Sequence, residues 1–520
     1  MAPTIGEVCK ISPSKEDRDD DLVKKECKIP AYRYNHKGGD VKKCGAPLVV
    51  VMVGLPARGK TVTANKLARY LGWTGHPAKV FVVSQYRRKL VERYNSHDMF
   101  RADNEEAMEI RRRSSQAALD DAVSWLQESA GSSVAILDGT NTTQNQRQAL
   151  HNHIVSKLGY RLLFVELICG DEAILMRNIK EVLTNSPDYK DMAQEKAQDD
   201  FEQKVQHYLE QYEPLSSKRD SHFSYIKVVD EGVEITTHKL RGHLESKVHV
   251  FVANFSQAPK TLYFSRVSLA TVSHCGWLVK RTCVLTYWWC LQHGESDNNV
   301  LGKIGGDANL SPRGVQYAVS LARHMNAQQI PDLRVWTSQL RRTKQTAQDI
   351  CATKEHFDAL NELDAGVCEG LTYEEMADQF PQEFAWRDQD KLRYRYPWGE
   401  SYLDIMGRLE PVFLELEHME NVLVVSHQAV LRCVLGYFLG KKPEELPYIN
   451  VPLHTIIKLT TEGYSCRLEF IKLPVECVDT YRQQPKNCSG TRSQKEALVT
   501  VPSHFDSLNL WQHPPLIQQH

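Results

Sequence analysis

The β-branched run Leu48-Val-Val-Val-Met-Val53 leads straight into Gly54-Leu-Pro-Ala-Arg-Gly-Lys60-Thr61, and the following TVTANKLARYL has helical spacing. A buried strand, a glycine turn and a helix in that order satisfy GxxxxGK[ST] in the setting that a phosphate-cradling loop requires. An ordinary glycine turn lacks those flanks. The loop Gly54, Leu55, Pro56, Ala57, Arg58 and Gly59 can gather backbone donors around phosphate oxygens at a helix N-terminus. Lys60 can then neutralise the β and γ oxygens of a nucleoside triphosphate, and the Thr61 hydroxyl can ligate Mg2+. Asp138 ends the run SVAILD, where its carboxylate can face that metal or take a proton from a hydroxyl; an aspartate capping a helix is the alternative.

The same alternation continues. Strands are expected at Lys79–Val83, Ser133–Leu137 and Arg161–Leu167, separated by helical stretches such as ADNEEAMEIRRRSSQAALDDAVSWL, which Asp103 and Glu106 are placed to cap. Such a pattern predicts a mostly parallel sheet covered by helices. A second series starts near Lys260 with TLYF and runs through LRVWTSQ to NVLVVSHQAVLRCVLGYFL, where a buried strand turns into a helix at His427. At 520 residues the chain exceeds one ordinary core. Two α/β domains in tandem are expected, residues 46–258 and 259–475, between a charged flexible extension (1–45) and a polar tail (476–520).

Charge and cysteine usage exclude several classes. Lys and Arg total 64 against 65 Asp and Glu, so no basic surplus draws the chain to nucleic acid or anionic lipid, and neither is expected as a partner. Local clusters must meet any anionic ligand. The thirteen scattered cysteines form no CxxC pair, against both a disulfide framework and a zinc ribbon. The N-terminus is acidic and polar where a signal peptide would be apolar, so a cytoplasmic protein is expected.

The strings GLPARGKT, QYRR, FRADNEEA, LDGTNTT and NSPDYKD occur in an order and spacing that resemble the kinase half of the bifunctional 6-phosphofructo-2-kinase/fructose-2,6-bisphosphatase family. The resemblance implies a P-loop kinase-like parallel-sheet domain that phosphorylates fructose 6-phosphate at O2 with ATP and Mg2+. It implies that Lys60 and Asp138 are catalytic, that Thr61 and Asp138 hold the metal, and that Asn178 lies near ATP. Arg87 and Arg101 would hold the sugar phosphate, with Thr140, Arg147, Lys204 and Tyr208 framing the sugar. Guanidinium forks suit phosphate oxygens. Three departures remove positive charge or change its kind: TTQNQR, with Gln144 and Gln146, stands for the family's TTRERR, Leu183 for a lysine, and Lys204 for an arginine. Each lost charged hydrogen bond weakens binding by roughly 1.5–3 kcal/mol, so nucleotide binding should survive better than 2-kinase turnover, and a lysine restored at 183 should lower the fructose 6-phosphate requirement.

Farther on, HGESDNN, GKIGGDANLSPRG, SQLRRTKQTA, LNELDAGVCEGLTYEE, RDQDKLRYRYPWGESY and VSHQAVLR are similar to the family's bisphosphatase half, a histidine phosphatase (phosphoglycerate mutase-like) α/β domain. The resemblance implies that His293 attacks the 2-phosphate of fructose 2,6-bisphosphate, Glu362 protonates the leaving oxygen, and His427 steadies the transferring group. Arg266, Asn299 and Arg342 would donate to the phosphate, with Gly305, Tyr373, Arg387, Lys391, Tyr402, Gln428 and Arg432 around the rest of the bisphosphate. A nucleophile, an acid and surrounding donors are what phosphoryl transfer needs. The family relationship also implies a homodimer. Ser493, in GTRSQKE, is better explained as part of a solvated tail than as a modification site.

One feature breaks the pattern. Arg266 and His293 should be adjacent, yet VSLATVSHCGWLVKRTCVLTYWWCLQ (Val267–Gln292) stands between them. It opens on Val-Ser and closes on Gln, as translated intron boundaries can. Lys280 and Arg281 split its apolar run into pieces shorter than the roughly 20 residues a bilayer needs. An active-site lid is the alternative, but the segment falls inside the catalytic motif itself. It is expected to loop out, to expose Trp and Cys residues that promote aggregation, and to impair hydrolysis by displacing His293. The leading reading is a bifunctional enzyme; the alternatives are an enzyme with only the kinase, or a catalytically weak nucleotide-binding regulator.

Overall fold

Leu48–Val53 is buried on both faces, so its side chains serve two cores at once. Leu48, Val50 and Met52 point into one apolar cluster, and Val49, Val51 and Val53 into another. This strand, β1, stands inside a six-stranded sheet in the computed structural model, which describes residues 46–255 and 288–481 apart from 92, 93, 95, 130, 131, 191, 420, 463 and 464. Its companions are β2 (Ala78–Val82), β3 (Val134–Asp138), β4 (Arg161–Ile168), β5 (Tyr225–Val229) and β6 (Glu234–His238), in the order β2-β3-β1-β4-β5-β6. All neighbours pair in parallel except β5 with β6. The helices between them are α1 (Lys60–Trp73), α2 (Val83–Leu90), α3 (Glu105–Glu128), α4 (Gln144–His151), α5 (Glu172–Asn185), α6 (Gln194–Leu209) and α7 (His243–Ala253). The carboxyl ends of β1 and β3 lie side by side, where open α/β sheets bind ligands. The cap of α3 falls one residue later than expected: Asn104 accepts from the Ala107 N–H, while Asp103 pairs with Arg101. Asparagine caps as well as aspartate, so the sequence left both possible.

The second sheet runs β12-β11-β7-β10-β8-β9, built from β7 (Trp288–Gln292), β8 (Arg334–Thr337), β9 (Thr353–His356), β10 (Val422–Ser426), β11 (Thr455–Glu462) and β12 (Ser465–Lys472). Around it lie α8 (Asp297–Val300), α9 (Pro312–Gln328), α10 (Arg341–Ala347), α11 (Tyr373–Gln379), α12 (Pro381–Gln389), α13 (Tyr402–Arg408), α14 (Glu410–His418) and α15 (Gln428–Leu439).

The strand β7 corrects the expectation that Val267–Gln292 loops out as a whole. Its last five residues pair in parallel with β10, Leu291 opposite Val425 and Gln292 opposite Ser426, and in antiparallel with β11. Trp289 and Leu291 enter the core beside Tyr317 and Leu321, and Cys290 enters the opposite core beside Val424 and Val430. Burying a large apolar side chain is worth roughly 1.5–3 kcal/mol, which explains why this aromatic-rich stretch enters the sheet. Trp289 and Cys290 are therefore buried rather than exposed. Arg266, the TLYF run near Lys260 and residues 267–287 lie outside the described residues, as does Ser493.

The tail assignment also shifts. Cys477 and Val478 are buried, and the Val478 N–H donates to Glu295 Oε2 at 2.9 Å, so packing continues past the expected boundary at 475.

The P-loop helix is the joint between the two sheets' layers. Lys66 and Arg69 of α1 reach Glu417 of α14 at 3.2 and 2.5 Å, the Tyr70 hydroxyl donates to Glu410 at 2.7 Å, and Trp73 donates to the Met406 carbonyl at 3.0 Å. Among the described residues no helix is long and apolar enough to cross a membrane.

Two candidate active sites

The first site forms where β1 ends. Gly54 has φ 133°, and a Cβ there would sit 2.5 Å from the Leu167 carbonyl oxygen, so glycine is required for the chain to leave the sheet at this point. Gly54 and Leu55 form the base of the loop, with the Gly54 N–H donating to Thr140 O at 2.9 Å. Pro56, Ala57, Arg58, Gly59, Lys60 and Thr61 line a cavity of about 1930 Å³. Lys60 is buried and donates to the Leu55 carbonyl. Burial draws its ammonium down to about 8, against the opposing pull of Asp138.

Asp138 closes β3 and accepts from the Thr61 hydroxyl at 2.6 Å. Burial raises its carboxyl above the ordinary range, with Thr61 and Lys60 opposing. It faces the loop rather than capping a helix. A carboxylate and a hydroxyl converging beside a phosphate loop are the hard oxygen ligands that Mg2+ takes, so this pair fits the metal. Asn178 of α5 donates to Ala57 O at 3.2 Å and holds the loop from the other side.

Arg87, Thr140, Asn178, Lys204 and Tyr208 line the same cavity. Arg87 is buried and pairs with Asp188. Two expected residues do not line it. Arg101 has 47% of its side chain exposed and is tied to Asp103 and Asp98. Arg147 is fully buried and donates to the carbonyls of Asn141 and Thr142 at 3.2 and 3.1 Å, pinning the turn after β3. Side-chain direction decides both, and neither direction is written in the motif. Arg88 and Arg111 line the cavity and were not singled out; QYRR contains the first, and a helical-face count along α3 could have suggested the second. Gln146 completes a capping box with Thr143 at the start of α4. Leu183 packs beside Ala57, Tyr94, Tyr189 and Phe201.

The second site forms where β7 and β10 end together. His293 follows β7 directly, and its N–H donates to Ser426 O at 3.0 Å. Its Nδ1 meets the Gly294 carbonyl at 2.6 Å, which leaves Nε2 for chemistry. His427 follows β10, its ring 5.1 Å from that of His293. Ser338 holds His427 Nε2 at 2.8 Å, and His427 Nδ1 is buried with no hydrogen-bond partner among the described residues. Burial, and next Arg342, push both imidazoles well below their usual range, so both are neutral near pH 7.

A cavity of about 150 Å³ opens onto His293, lined also by Asn299, Gly305, Arg342 and Glu362. Glu362 accepts from the N–H groups of Leu363 and Ala429 at 3.0 and 3.2 Å. Gly305, at φ 58°, leaves no room for a Cβ against the Glu369 carboxylate. Arg387 is braced by Tyr396 and Tyr373, and Arg432 by Tyr402 and the Ile449 carbonyl. Lys391 and Gln428 line the same wall, Gln428 held by Thr480 at 3.1 Å. Thr480 comes from the stretch taken as tail, which hid it from sequence reasoning. Gln292 was hidden likewise. It is 3% exposed, lines the cavity immediately before His293, and its Oε1 has no hydrogen-bond partner among the described residues.

A P-loop phosphotransferase site and a histidine phosphatase site thus share one chain, in that order. Residues 39–259 match the 6-phosphofructo-2-kinase family, and residues 288–473 match the histidine phosphatase superfamily (branch 1), a match that begins with the first residue of β7. The chain is 47% identical over 478 residues to a 6-phosphofructo-2-kinase/fructose-2,6-bisphosphatase of Gallus gallus, covering 92% of this chain and 96% of that relative. It is also 47% identical to one of Aquarana catesbeiana, covering 88% and 92%. The chain belongs to the bifunctional 6-phosphofructo-2-kinase/fructose-2,6-bisphosphatase family and carries both of its catalytic domains.

Proposed function

We propose that this chain transfers the γ-phosphoryl group of ATP to O2 of fructose 6-phosphate, and that hydrolysis of the fructose 2,6-bisphosphate so formed is its weaker activity. The observation that carries the kinase reading is one cavity holding the loop, Lys60, Thr61 and Asp138 on one side and Arg87, Lys204 and Tyr208 on the other. Lys60 neutralises charge on the β and γ oxygens. The bond from γ-phosphorus to the β-side oxygen breaks as the bond to O2 forms, and the O2 proton passes to Asp138, which faces the loop from the end of β3. Thr61 and Asp138 would hold Mg2+, which supplies charge neutralisation between the phosphates when bound.

In the second site, neutral His293 presents Nε2 to the 2-phosphorus. The bond from phosphorus to O2 breaks as the bond from Nε2 to phosphorus forms, O2 takes a proton from Glu362, and water then attacks that phosphorus, returning a proton to Glu362 as the bond to His293 breaks. Arg342 and His427 face the transferring group. The specific observation favouring a kinase-dominated enzyme is Gln292, a neutral amide where the family motif carries an arginine beside the nucleophile. The segment 267–292 therefore impairs hydrolysis by removing a charge as well as by any displacement of His293. A cytoplasmic homodimer belongs to the same reading and rests on family membership alone.

The test is direct. Purified full-length protein with ATP, Mg2+ and fructose 6-phosphate should yield fructose 2,6-bisphosphate by mass spectrometry; nucleotide binding without any product would overturn the proposal in favour of a catalytically silent regulator.

A further inference from the structure

The cations of the kinase cavity differ in what already holds them. Arg87 and Arg88 share the Asp188 carboxylate, Arg88 at 2.9 Å. Lys204 of α6 has no such partner among the described residues. Its Nζ lies over the Phe100 ring at 4.4 Å from the centroid, with Phe201 at 5.8 Å and Tyr189 at 5.9 Å. The two carboxylates that act on it are both engaged: Asp188 by the arginines of α2, and Asp200 by the Tyr94 hydroxyl and the His97 N–H, the latter at 2.7 Å. Tyr208 stands on the same wall, and the ring nitrogens of His97 and His207 meet at 3.0 Å.

Desolvation under those rings, followed by repulsion from Arg87 and Arg88, lowers Lys204 to about 7, with Asp188 and Asp200 opposing. An arginine in this place would stay charged at every pH of interest, whereas a half-buried lysine beneath aromatic rings need not. A phosphate monoester dianion entering the cavity would restore the charged form, because an opposite charge in a desolvated site favours ionisation.

Resting on the proposed kinase reading, we propose that Lys204 is a proton-gated anchor for the acceptor's phosphate: it binds the sugar phosphate as an ammonium, takes up a proton as that dianion arrives, and so weakens acceptor binding as the solution turns alkaline. The sign follows from the chemistry. Below about 7 the free site is already charged and affinity is full. Above that, only the protonated fraction binds, so affinity falls roughly ten-fold per pH unit until the bound site itself loses its proton. The ligand adds no slope there, since a phosphate monoester completes its second ionisation near about 6.

The experiment is calorimetric titration of fructose 6-phosphate into the full-length protein with a non-hydrolysable ATP analogue and Mg2+, between about pH 6.5 and pH 8.5, in two buffers of different protonation enthalpy. Wild-type protein should take up close to one proton per sugar at the alkaline end and lose about ten-fold or more in affinity across the range. Lys204→Arg should bind with no uptake and no slope, and Lys204→Met, its folding checked by circular dichroism, should bind weakly and equally flatly. Wild-type uptake and slope retained in either variant would overturn the proposal, as would a wild type with neither. Absence of fructose 6-phosphate binding by every protein at every pH, with the ATP analogue still bound, would instead overturn the substrate assignment beneath it.

Discussion

The two halves of this chain carry the same kind of chemistry on sheets of the same size, but their catalytic loops are built from different material. In the kinase half, β1, the loop and α1 are continuous in sequence, and every part of the phosphate cradle comes from one stretch of chain. In the phosphatase half, the strand before the nucleophile is the end of the segment that separates Arg266 from His293 in sequence, yet it pairs in register on both sides and buries Trp289, Cys290 and Leu291. A sheet accepts any strand with suitable alternation and apolar content. A catalytic motif does not, because its residue identities matter one by one. The second half keeps its sheet across this segment, and the residue directly before His293 is the neutral Gln292.

If that comparison is right, the halves should respond to mutation unequally. The largest effect is expected from Lys60→Ala, which should reduce formation of fructose 2,6-bisphosphate by roughly a thousand-fold while leaving thermal unfolding close to wild type, since the lysine contributes charge more than packing. Retained kinase activity would remove the loop from the mechanism.

Next in size is deletion of Val267–Gln292, which rejoins TLYFSR to HGESDNN. It exchanges β7 for a strand that ends in Arg266 and should raise bisphosphate hydrolysis by roughly ten- to a hundred-fold, the range for one charged hydrogen bond regained. A deletion variant that hydrolyses no faster than the full chain would mean that the segment is catalytically neutral.

The joint between the halves is tested by Glu417→Gln. Glu417 is 1% exposed and faces both Lys66 and Arg69. Stripping the carboxylate leaves two cations buried against α14, so the variant should lose about 3–5 kcal/mol of stability, visible as a lowered denaturant midpoint. A midpoint unchanged from wild type would show that water reaches the joint.

The smallest effect belongs to Leu183→Lys, which should lower the KM for fructose 6-phosphate by about ten-fold, the low end for one charged hydrogen bond. Leu183 lies against Tyr189 and Phe201, so a lysine stem can keep part of that packing while its head seeks the cavity. An unchanged KM would indicate that Arg88 or Lys204 already fills the role.

The parts of this architecture that were legible in the sequence are those set by local pattern. β1 runs over the expected residues, β10 turns into α15 at His427, and the loop sits between strand and helix because each element declares itself within a few residues. Side-chain destinations were less legible. Arg101 and Arg147 belong to motifs like those of Arg87, yet one is spent on exposed aspartates and the other on backbone carbonyls. β7 is hard to read because Trp-Trp-Cys-Leu-Gln closes a segment that interrupts the Arg-His pair of the motif. Its own composition, aromatic and apolar immediately before His293, was strand-like all along. Thr480 was missed for a related reason, since tail-like composition after Val475 concealed residues that pack back onto the cavity.

The central claim is that the phosphatase half has kept its fold and lost a charge beside its nucleophile, and Gln292→Arg tests it most directly. Incubated with fructose 2,6-bisphosphate labelled in the 2-phosphate and quenched in alkali, the variant should trap labelled phosphate on His293 roughly ten- to a hundred-fold faster than wild type, the range for one charged hydrogen bond regained. Equal trapping rates in a variant with unchanged unfolding would contradict the account and return the impairment, if any, to the geometry of the strand.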